Sequence, residues 1–382
     1  MRIERVELYE VSLPLVEPFI ISGGAVTDRR SLIVVLHDGA GHVGYGESPP
    51  FMLPFYSEET LASARAMIAD VLLPRVAGRE FATPEAVDAA LQANVRGNPF
   101  ARAAVETAAW DLEADARGTG LAQLVGERLR VPPAASVTCG VALGIPEDRS
   151  PDTLTRRVAA AIERGYVRIK IKVAPGWDVV AIRAARAGMA GTDLPLTVDA
   201  NGAYRWPEDE PELRAIDDTG LLYIEQPLAP DELVGHARLT HAIRTPVCLD
   251  ETLKSAAHAE QVVALDGPRV WNIKVHRVGG LAEVCRIYRV AARYGAELWA
   301  GTMPETGIGS QAVIAVAALP LFVYPSDLEP SDRWYGRNAD LIKLTMGRDG
   351  RMTVPGQSAR RLLDPGRFRA AARLVASPPD RA

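Results

Sequence analysis

Side chains suited to metal binding and proton transfer end five short apolar runs. Lys170 and Lys172 close Val-Arg-Ile-Lys-Ile-Lys, Asp199 follows Leu-Thr-Val, Glu225 follows Leu-Leu-Tyr-Ile, Asp250 follows Val-Cys-Leu, and Lys274 follows Val-Trp-Asn-Ile. Asp199, Glu225 and Asp250 offer hard oxygen donors, the set Mg²⁺ favours when it keeps positions open for water and substrate oxygens. No His or Cys accompanies them, which argues against zinc. A cation held there would neutralise the second negative charge that appears when a substrate carboxylate becomes an enediolate.

The proton itself needs a base. Lys170 and Lys172 are two residues apart, so in a strand they lie on one side, and the spacing predicts that each cation crowds the other and lowers its proton affinity. A lysine tuned in this way is a competent base. Lys274, in Lys-Val-His-Arg-Val-Gly-Gly, could serve as a second acid or base. Two lysines on opposite faces of one carbon would racemise it, whereas a single base suffices for elimination of water. The residues alone leave both outcomes open.

The runs recur about every 25 residues, the length of one strand plus one helix in a β/α barrel, where residues at the C-terminal ends of different strands converge on one mouth. A lone charge at a strand end ordinarily faces water. Five successive ends carrying the required residue types are hard to obtain from solvated termini. Strands are predicted for Ser136–Leu143 and near 167–173, 195–200, 221–225, 246–250, 270–274, 296–301 and 320–324, eight in all. Helical spacing fills 150–164, 177–190, 208–219, 231–243, 255–264, 280–294 and 308–318. The fold class is therefore α/β, a (β/α) barrel of modified TIM type over residues 131–325.

Residues 1–130 read differently. Strands at Ile3–Leu15, Ser31–Leu36 and His42–Glu47 precede helical patterns at Ser57–Leu72, Pro84–Gln92 and Phe100–Arg117, which is an α+β unit. Residues 326–382 carry an alternating strand pair, Leu341–Met346 and Met352–Val354, about Asp349-Gly350, and are apolar enough to pack back on the N-terminal unit.

The length of 382 residues accommodates both units, and the net charge of −5 comes without a basic tract, which favours a small-molecule partner over nucleic acid. No apolar run reaches the ~18 residues of a membrane span, so no membrane partner is expected and the cytoplasm is the expected location. Cys139, Cys248 and Cys285 are widely spaced within apolar stretches and read as buried thiols.

The chain resembles the muconate-lactonizing subgroup of the enolase superfamily. Lys170-Ile171-Lys172 is similar to its Lys-x-Lys motif, Asp199-Ala200-Asn201, Glu225-Gln226-Pro227 and Asp250-Glu251 to its metal-ligand motifs, and Lys274 falls at its second catalytic lysine. Pro54-Phe55-Tyr56-Ser57-Glu58-Glu59, Met303-Pro304-Glu305-Thr306-Gly307 and Ser331-Asp332-Arg333-Trp334-Tyr335 resemble the o-succinylbenzoate synthase and N-succinylamino acid racemase family. The resemblance implies Mg²⁺, with Mn²⁺ as a substitute, a homo-oligomer, and an N-terminal capping domain. Within that domain Ile21–Val26 and Phe51–Tyr56, rich in Gly, Pro and aromatics, are candidates for loops that close over the mouth, the alternative being that Phe51, Phe55 and Tyr56 form domain-interface core.

It further implies that Lys172 and Lys274 are the bases and that Lys170 adds electrostatic support. Asn201, Glu251, Arg277, Glu305, Tyr56, Phe55 and Asp327 would bind substrate or support the ligands. Racemising members carry an arginine at the position of Arg277. Racemisation or epimerisation of N-acylamino acids, N-succinyl ones first, is the expected reaction, and the alternatives are o-succinylbenzoate formation, dipeptide epimerisation and muconate cycloisomerisation. Asp327-Leu328-Glu329 could mimic the acid pair with which dipeptide epimerases hold an ammonium group. A metabolite-binding scaffold is the alternative of another class.

Overall fold

A computed structural model of the chain describes residues 1–21, 24–336 and 339–377. Three antiparallel strands open it, β1 (Arg5–Ile21), β2 (Gly24–His37) and β3 (Val43–Ser48), paired in that order. Helices α1 (Leu61–Ala66), α2 (Pro84–Gln92), α3 (Pro99–Arg117) and α4 (Leu121–Leu129) follow. The first helix begins four residues later than Ser57, because Thr60 and Ser63 form a capping box that fixes the start at Leu61. A π-helical turn, Met67–Leu72, continues it into a last α-helical turn, Leu73–Val76, where Pro74 sits in the first turn and so needs no N–H partner of its own.

Helix α3 lies between this sheet and the barrel, so most of its circumference is buried. Its contact with β3 is backbone to backbone. A Cβ at Gly44 or Gly46 would stand 2.1 Å from Ala108 O or 2.0 Å from Ala104 O, so only glycine permits the approach.

The barrel sheet holds seven parallel strands in chain order: β4 (Gly140–Leu143), β5 (Arg168–Lys172), β6 (Leu196–Asp199), β7 (Ile224–Glu225), β8 (Val247–Leu249), β9 (Val270–Ile273) and β10 (Glu297–Ala300). Outer helices α5 (Pro151–Glu163), α6 (Val179–Gly188), α7 (Glu210–Asp217), α8 (Leu233–Ala242), α9 (Ala256–Ala264), α10 (Leu281–Tyr294) and α11 (Gly307–Ala317) alternate with them. The strands are almost wholly buried, as parallel strands covered on both faces must be.

The eighth expected strand, 320–324, does not form a ladder. Pro320 and Pro325 bracket it and deny it donors, and the barrel closes through the isolated bridges Leu298 to Phe322 and Cys139 to Ser326. Those bridges are reinforced by bonds from Val323 N to Leu298 O at 3.0 Å and from Gly140 N to Ser326 O at 2.7 Å.

The expected hairpin of Leu341–Met346 with Met352–Val354 is also absent. Arg351–Thr353 pairs instead with Ser136–Thr138. The backbone of the first segment is engaged elsewhere, with Leu341 O accepting from Asp364 N and Leu344 N donating to Ser331 Oγ. The tail ends in β11 (Ala372–Ala376), which adds to the free edge of β1. All three cysteines are free and buried. No helix among the described residues is long and apolar enough to cross a membrane.

Candidate active site

Alternation along β5 sends Ile169 and Ile171 into the apolar layer and lines up Arg168, Lys170 and Lys172 on the other side. Lys172 stands at the strand end, its Nζ 2.6 Å from Asp199 Oδ2 and 2.8 Å from Asn201 Oδ1. One step deeper, Lys170 Nζ is 2.9 Å from Glu225 Oε2 and 2.6 Å from Asp327 Oδ2, and lies 4.6 Å from the Trp299 ring centroid. Arg168 is deeper still and holds Asp327 Oδ1 at 2.7 Å.

Asp199, Glu225 and Asp250 sit at the ends of β6, β7 and β8. Each offers one oxygen, these oxygens lie within 4.8 Å of one another, and all three residues are buried. From the end of β9, Lys274 Nζ reaches Asp250 Oδ2 and the Tyr56 hydroxyl, each at 2.9 Å. Arg277 pairs with Asp250 Oδ1 and donates from NH2 to Asn272 O at 2.8 Å. Lys172 and Lys274 therefore touch the two outer carboxylates, with Glu225 between them, and both line one cavity of about 40 Å³.

The turns after β6 and β7 hold non-glycine residues in the left-handed region, Asn201 at φ +45° and Gln226 at φ +39°. Side-chain bonds fix both. Asn201 donates from Nδ2 to Glu251 Oε1 at 2.9 Å, and Gln226 Oε1 accepts from Asp250 N at 3.0 Å and from Thr252 N at 3.2 Å.

The electrostatics reverse one expectation. Burial disfavours the charge on Lys170, yet Asp327, Glu225 and Asp199 outweigh it, and its proton affinity is raised rather than lowered by its lysine neighbour. Lys274 shifts the same way, because Tyr56, Glu251 and Glu225 outweigh its burial. Carboxylates interpose between the cations, so attraction exceeds repulsion. Asp199 is pulled down, burial being overcome by Lys172 and Lys170, while burial and then Asp199 push Glu225 up.

The donor set fits a hard divalent cation, with three convergent carboxylates from neighbouring strands and no soft ligand among them. Glu251 Oε2 is buried beside them without a hydrogen-bond partner among the described residues, an acceptor suited to a cation or its water.

Not every expected residue reaches this cluster. Glu305 turns to His276 Nδ1, at 3.1 Å, and to Met303 N, at 2.9 Å, and supports the loop after β10. Phe55 stacks on Phe51 at 4.9 Å within an apolar cluster shared with Met303 of the barrel, and of the two rings only Phe51 also lines the small cavity beside the lysines. Tyr56 belongs to that cluster too, but its hydroxyl points at Lys274. It separates the small cavity from a larger one of about 870 Å³ lined by Phe55, Arg102, Lys254 and His258. Within Ile21–Val26, Ser22 and Gly23 lie outside the described residues, as do the side chains of Ile21 and Ala25.

Other residues of the site were not singled out from sequence. Arg168 shares the two-residue period of Lys170 and Lys172, and Asn272, whose Nδ2 donates to Glu225 Oε1 at 2.7 Å, stands two before Lys274. The period was the available signal for both. Glu47 and Glu106 carried none, since the barrel groups they hold, Thr306 and Gly309 for the one and Leu281 and Ala282 for the other, lie more than 170 residues further along the chain.

Residues 153–358 match the family described as enolase C-terminal domain-like, and residues 3–126 match the mandelate racemase / muconate lactonizing enzyme N-terminal domain. The chain is 41% identical to a protein of Thermus thermophilus named N-succinylamino acid racemase, over 93% of each. It is 37% identical to the o-succinylbenzoate synthase of Bacillus subtilis, over 88% of this chain and 87% of that one. A crystal structure of an enolase superfamily member from Listeria innocua superposes with a TM-score of 0.89 at 34% identity, covering 98% of both chains.

Proposed function

The chain belongs to the enolase superfamily, and on that basis we propose that it racemises N-acylamino acids, N-succinyl derivatives foremost, with Mg²⁺ at Asp199, Glu225 and Asp250 and with Lys172 and Lys274 as the two bases. As an enzyme of this superfamily it abstracts the proton α to a carboxylate. One observation carries the racemase reading. The two lysines come from β5 and β9, the strands that flank the three acid-bearing strands, and their amines line one cavity. A substrate carboxylate seated at the acid triad would present its α-carbon to an amine on each face.

Mg²⁺ held by Asp199, Glu225 and Asp250 would supply positive charge to offset the negative charge that develops on the substrate carboxylate as its α-proton leaves. Lys172 exchanges a proton at Nζ with one face of the α-carbon and Lys274 with the other, each acting as acid or base according to the enantiomer bound. Lys170 contributes a fixed cation beneath the carboxylate. Asn201 orients Lys172 through its Oδ1. The Tyr56 hydroxyl orients Lys274, and its ring helps to exclude water on the cap side.

Dehydration to o-succinylbenzoate is the second reading, favoured by the named relative of Bacillus subtilis. It needs one base only, and both activities can reside in one site. An ammonium-binding acid pair has less support, because Asp327 is engaged by Arg168 and Lys170 and Glu329 lies 3.2 Å from Arg333. The setting proposed is a homo-oligomer, on the resemblance, in the cytoplasm, on the charge and the lack of a membrane-length apolar run.

The test is ¹H NMR in D₂O with Mg²⁺ and a pool of N-succinyl, N-acetyl and dipeptide substrates, with an EDTA control. Metal-dependent loss of the α-proton signal from N-succinyl substrates is expected. Exchange in dipeptides alone would move the substrate to the epimerase class. No exchange, together with no dehydration of the cyclohexadiene precursor, would leave a metabolite-binding scaffold.

A further inference from the structure

Between β9 and α10 the chain has only Lys274, the helical turn Val275–Val278 with Arg277 in it, and two glycines. Its front end is fixed by the pairing of β9 with β8 and β10. Its back end has no capping side chain of its own, since the N-cap position of α10 is Gly280. Glu106 of α3 takes that role from the N-terminal unit. Its Oε2 accepts from Leu281 N and its Oε1 from Ala282 N, each at 2.8 Å, while Trp110 Nε1 fixes the carboxylate at 2.6 Å.

The seat is tight. Gly279 and Gly280 lie in the left-handed region at φ +100° and +118°, and a Cβ at Gly280 would stand 2.1 Å from Glu106 Oε2. The turn itself is closed by Val278 N to Lys274 O at 3.1 Å and Gly280 N to Val275 O at 2.9 Å, so a displacement at its back end is passed to Lys274. The other base is independent of this seat, because Lys172 stands on β5 and is held by Asp199 and Asn201.

We infer that Glu106 is a positioning residue for Lys274: a carboxylate of the N-terminal unit sets the placement of one of the two bases, while the other is set within the barrel. The inference rests on the two-base reading above. Shortening the side chain by one carbon, about 1.5 Å, or setting an amide donor against the N–H groups of α10, displaces one lysine and leaves the other. Misplacement on that scale costs about 10- to 100-fold in proton transfer.

The experiment measures α-deuterium exchange of each pure enantiomer of an N-succinylamino acid separately, with Mg²⁺, on the full chain. Lys274→Ala identifies the enantiomer whose proton Lys274 removes. In Glu106→Gln and Glu106→Asp, kcat for that enantiomer falls about 10- to 100-fold, and the other enantiomer stays within about threefold, with KM little changed for both. Asp111→Asn is the matched control. It removes a buried carboxylate from the same helix, one that accepts from Tyr45 N and Ala359 N, and it keeps the ratio of wild type whatever it does to Tm. Glu106 variants whose two rates fall together, or an Asp111 variant with the same skew, overturn the assignment of Glu106 alone. A wild type that exchanges neither enantiomer overturns the two-base reading, and the role of Glu106 with it. Glu106→Asp keeps the carboxyl group and serves if the glutamine variant does not fold.

Discussion

The two sides of the barrel mouth are built differently. On the side of the acid triad, the strand ends are held by side chains of the barrel itself: Gln226 Oε1 takes Asp250 N and Thr252 N, Asn272 Nδ2 takes Glu225, and Asn201 joins Lys172 to Glu251. On the side of Lys274, the support comes from the N-terminal unit. Glu106 caps α10, Glu47 accepts from Thr306 N and Gly309 N at the start of α11, and Arg29 Nε donates to Pro304 O at 2.7 Å. The difference teaches that the carboxylate cluster, the proposed cation site, is held by neighbouring β/α units, whereas the turn that carries Lys274, the proposed second base, runs into a helix capped from the N-terminal unit.

The largest expected effects test whether the sides are complementary. Lys172→Ala or Lys274→Ala each abolishes racemisation, by about 10²- to 10⁴-fold, while exchange of one enantiomer survives in each. ¹H NMR in D₂O reads both, and full racemisation by either variant would end the two-base account. On the triad side, Glu225→Gln or EDTA lowers exchange by about 100-fold or more, the equivalent of ~3 kcal/mol of charge stabilisation. Added Mg²⁺ restores the EDTA-treated protein and not the variant.

The cap side is sharpened by stability. Glu47 is fully buried and accepts from Ser31 Oγ at 2.7 Å and Thr306 Oγ1 at 2.6 Å besides the two N–H groups. Glu47→Ala strands those donors and costs roughly 3 kcal/mol, read as a lowered urea midpoint. Asn201→Ala, at a half-exposed turn on the triad side, lowers activity with a loss of stability of about 1 kcal/mol or less. Equal losses in the two variants would remove the contrast.

The two sides also differ in pH dependence. Burial pushes Glu59, Glu106 and Asp111 of the N-terminal unit up to about 7, 8 and 7. A carboxyl whose folded value lies above its unfolded value of ~4 takes up a proton on folding. Its contribution is full below that value and declines as pH rises through the folded one. Stability should therefore fall between about pH 4 and pH 8, and Asp111→Asn should flatten the slope by about one proton. Asp327 in the barrel behaves oppositely. Burial is overcome there by Lys170 and Arg168, its pKa is depressed, and its contribution is present above ~4 and lost as pH falls. Urea titrations across pH measure both limbs.

Much of this site was legible in the chain. The spacing of Lys170, Lys172, Asp199, Glu225, Asp250 and Lys274 follows from alternation and from the strand-plus-helix repeat, both local properties, and the observed strands end where those residues stand. The loss of the eighth ladder was also written locally, in Pro320 and Pro325. The misread hairpin at Leu341–Met346 was not, because Arg351–Thr353 found its partner at Ser136–Thr138, more than 200 residues earlier. Strand pairing at such separation leaves no trace in a run of alternating residues.

By itself the sequence determined which residue types stand at which strand ends, because side-chain direction in a strand is fixed by a two-residue period. Only the tertiary structure decided how their charges settle. It interposed Asp327 and Glu225 among the cations and raised the proton affinity of Lys170, where spacing along one strand had predicted a fall. It also brought Glu106 against a turn that begins 168 residues later, at Lys274. Coulomb energy and hydrogen bonding depend on distance through space, and a fold sets that distance independently of distance along the chain.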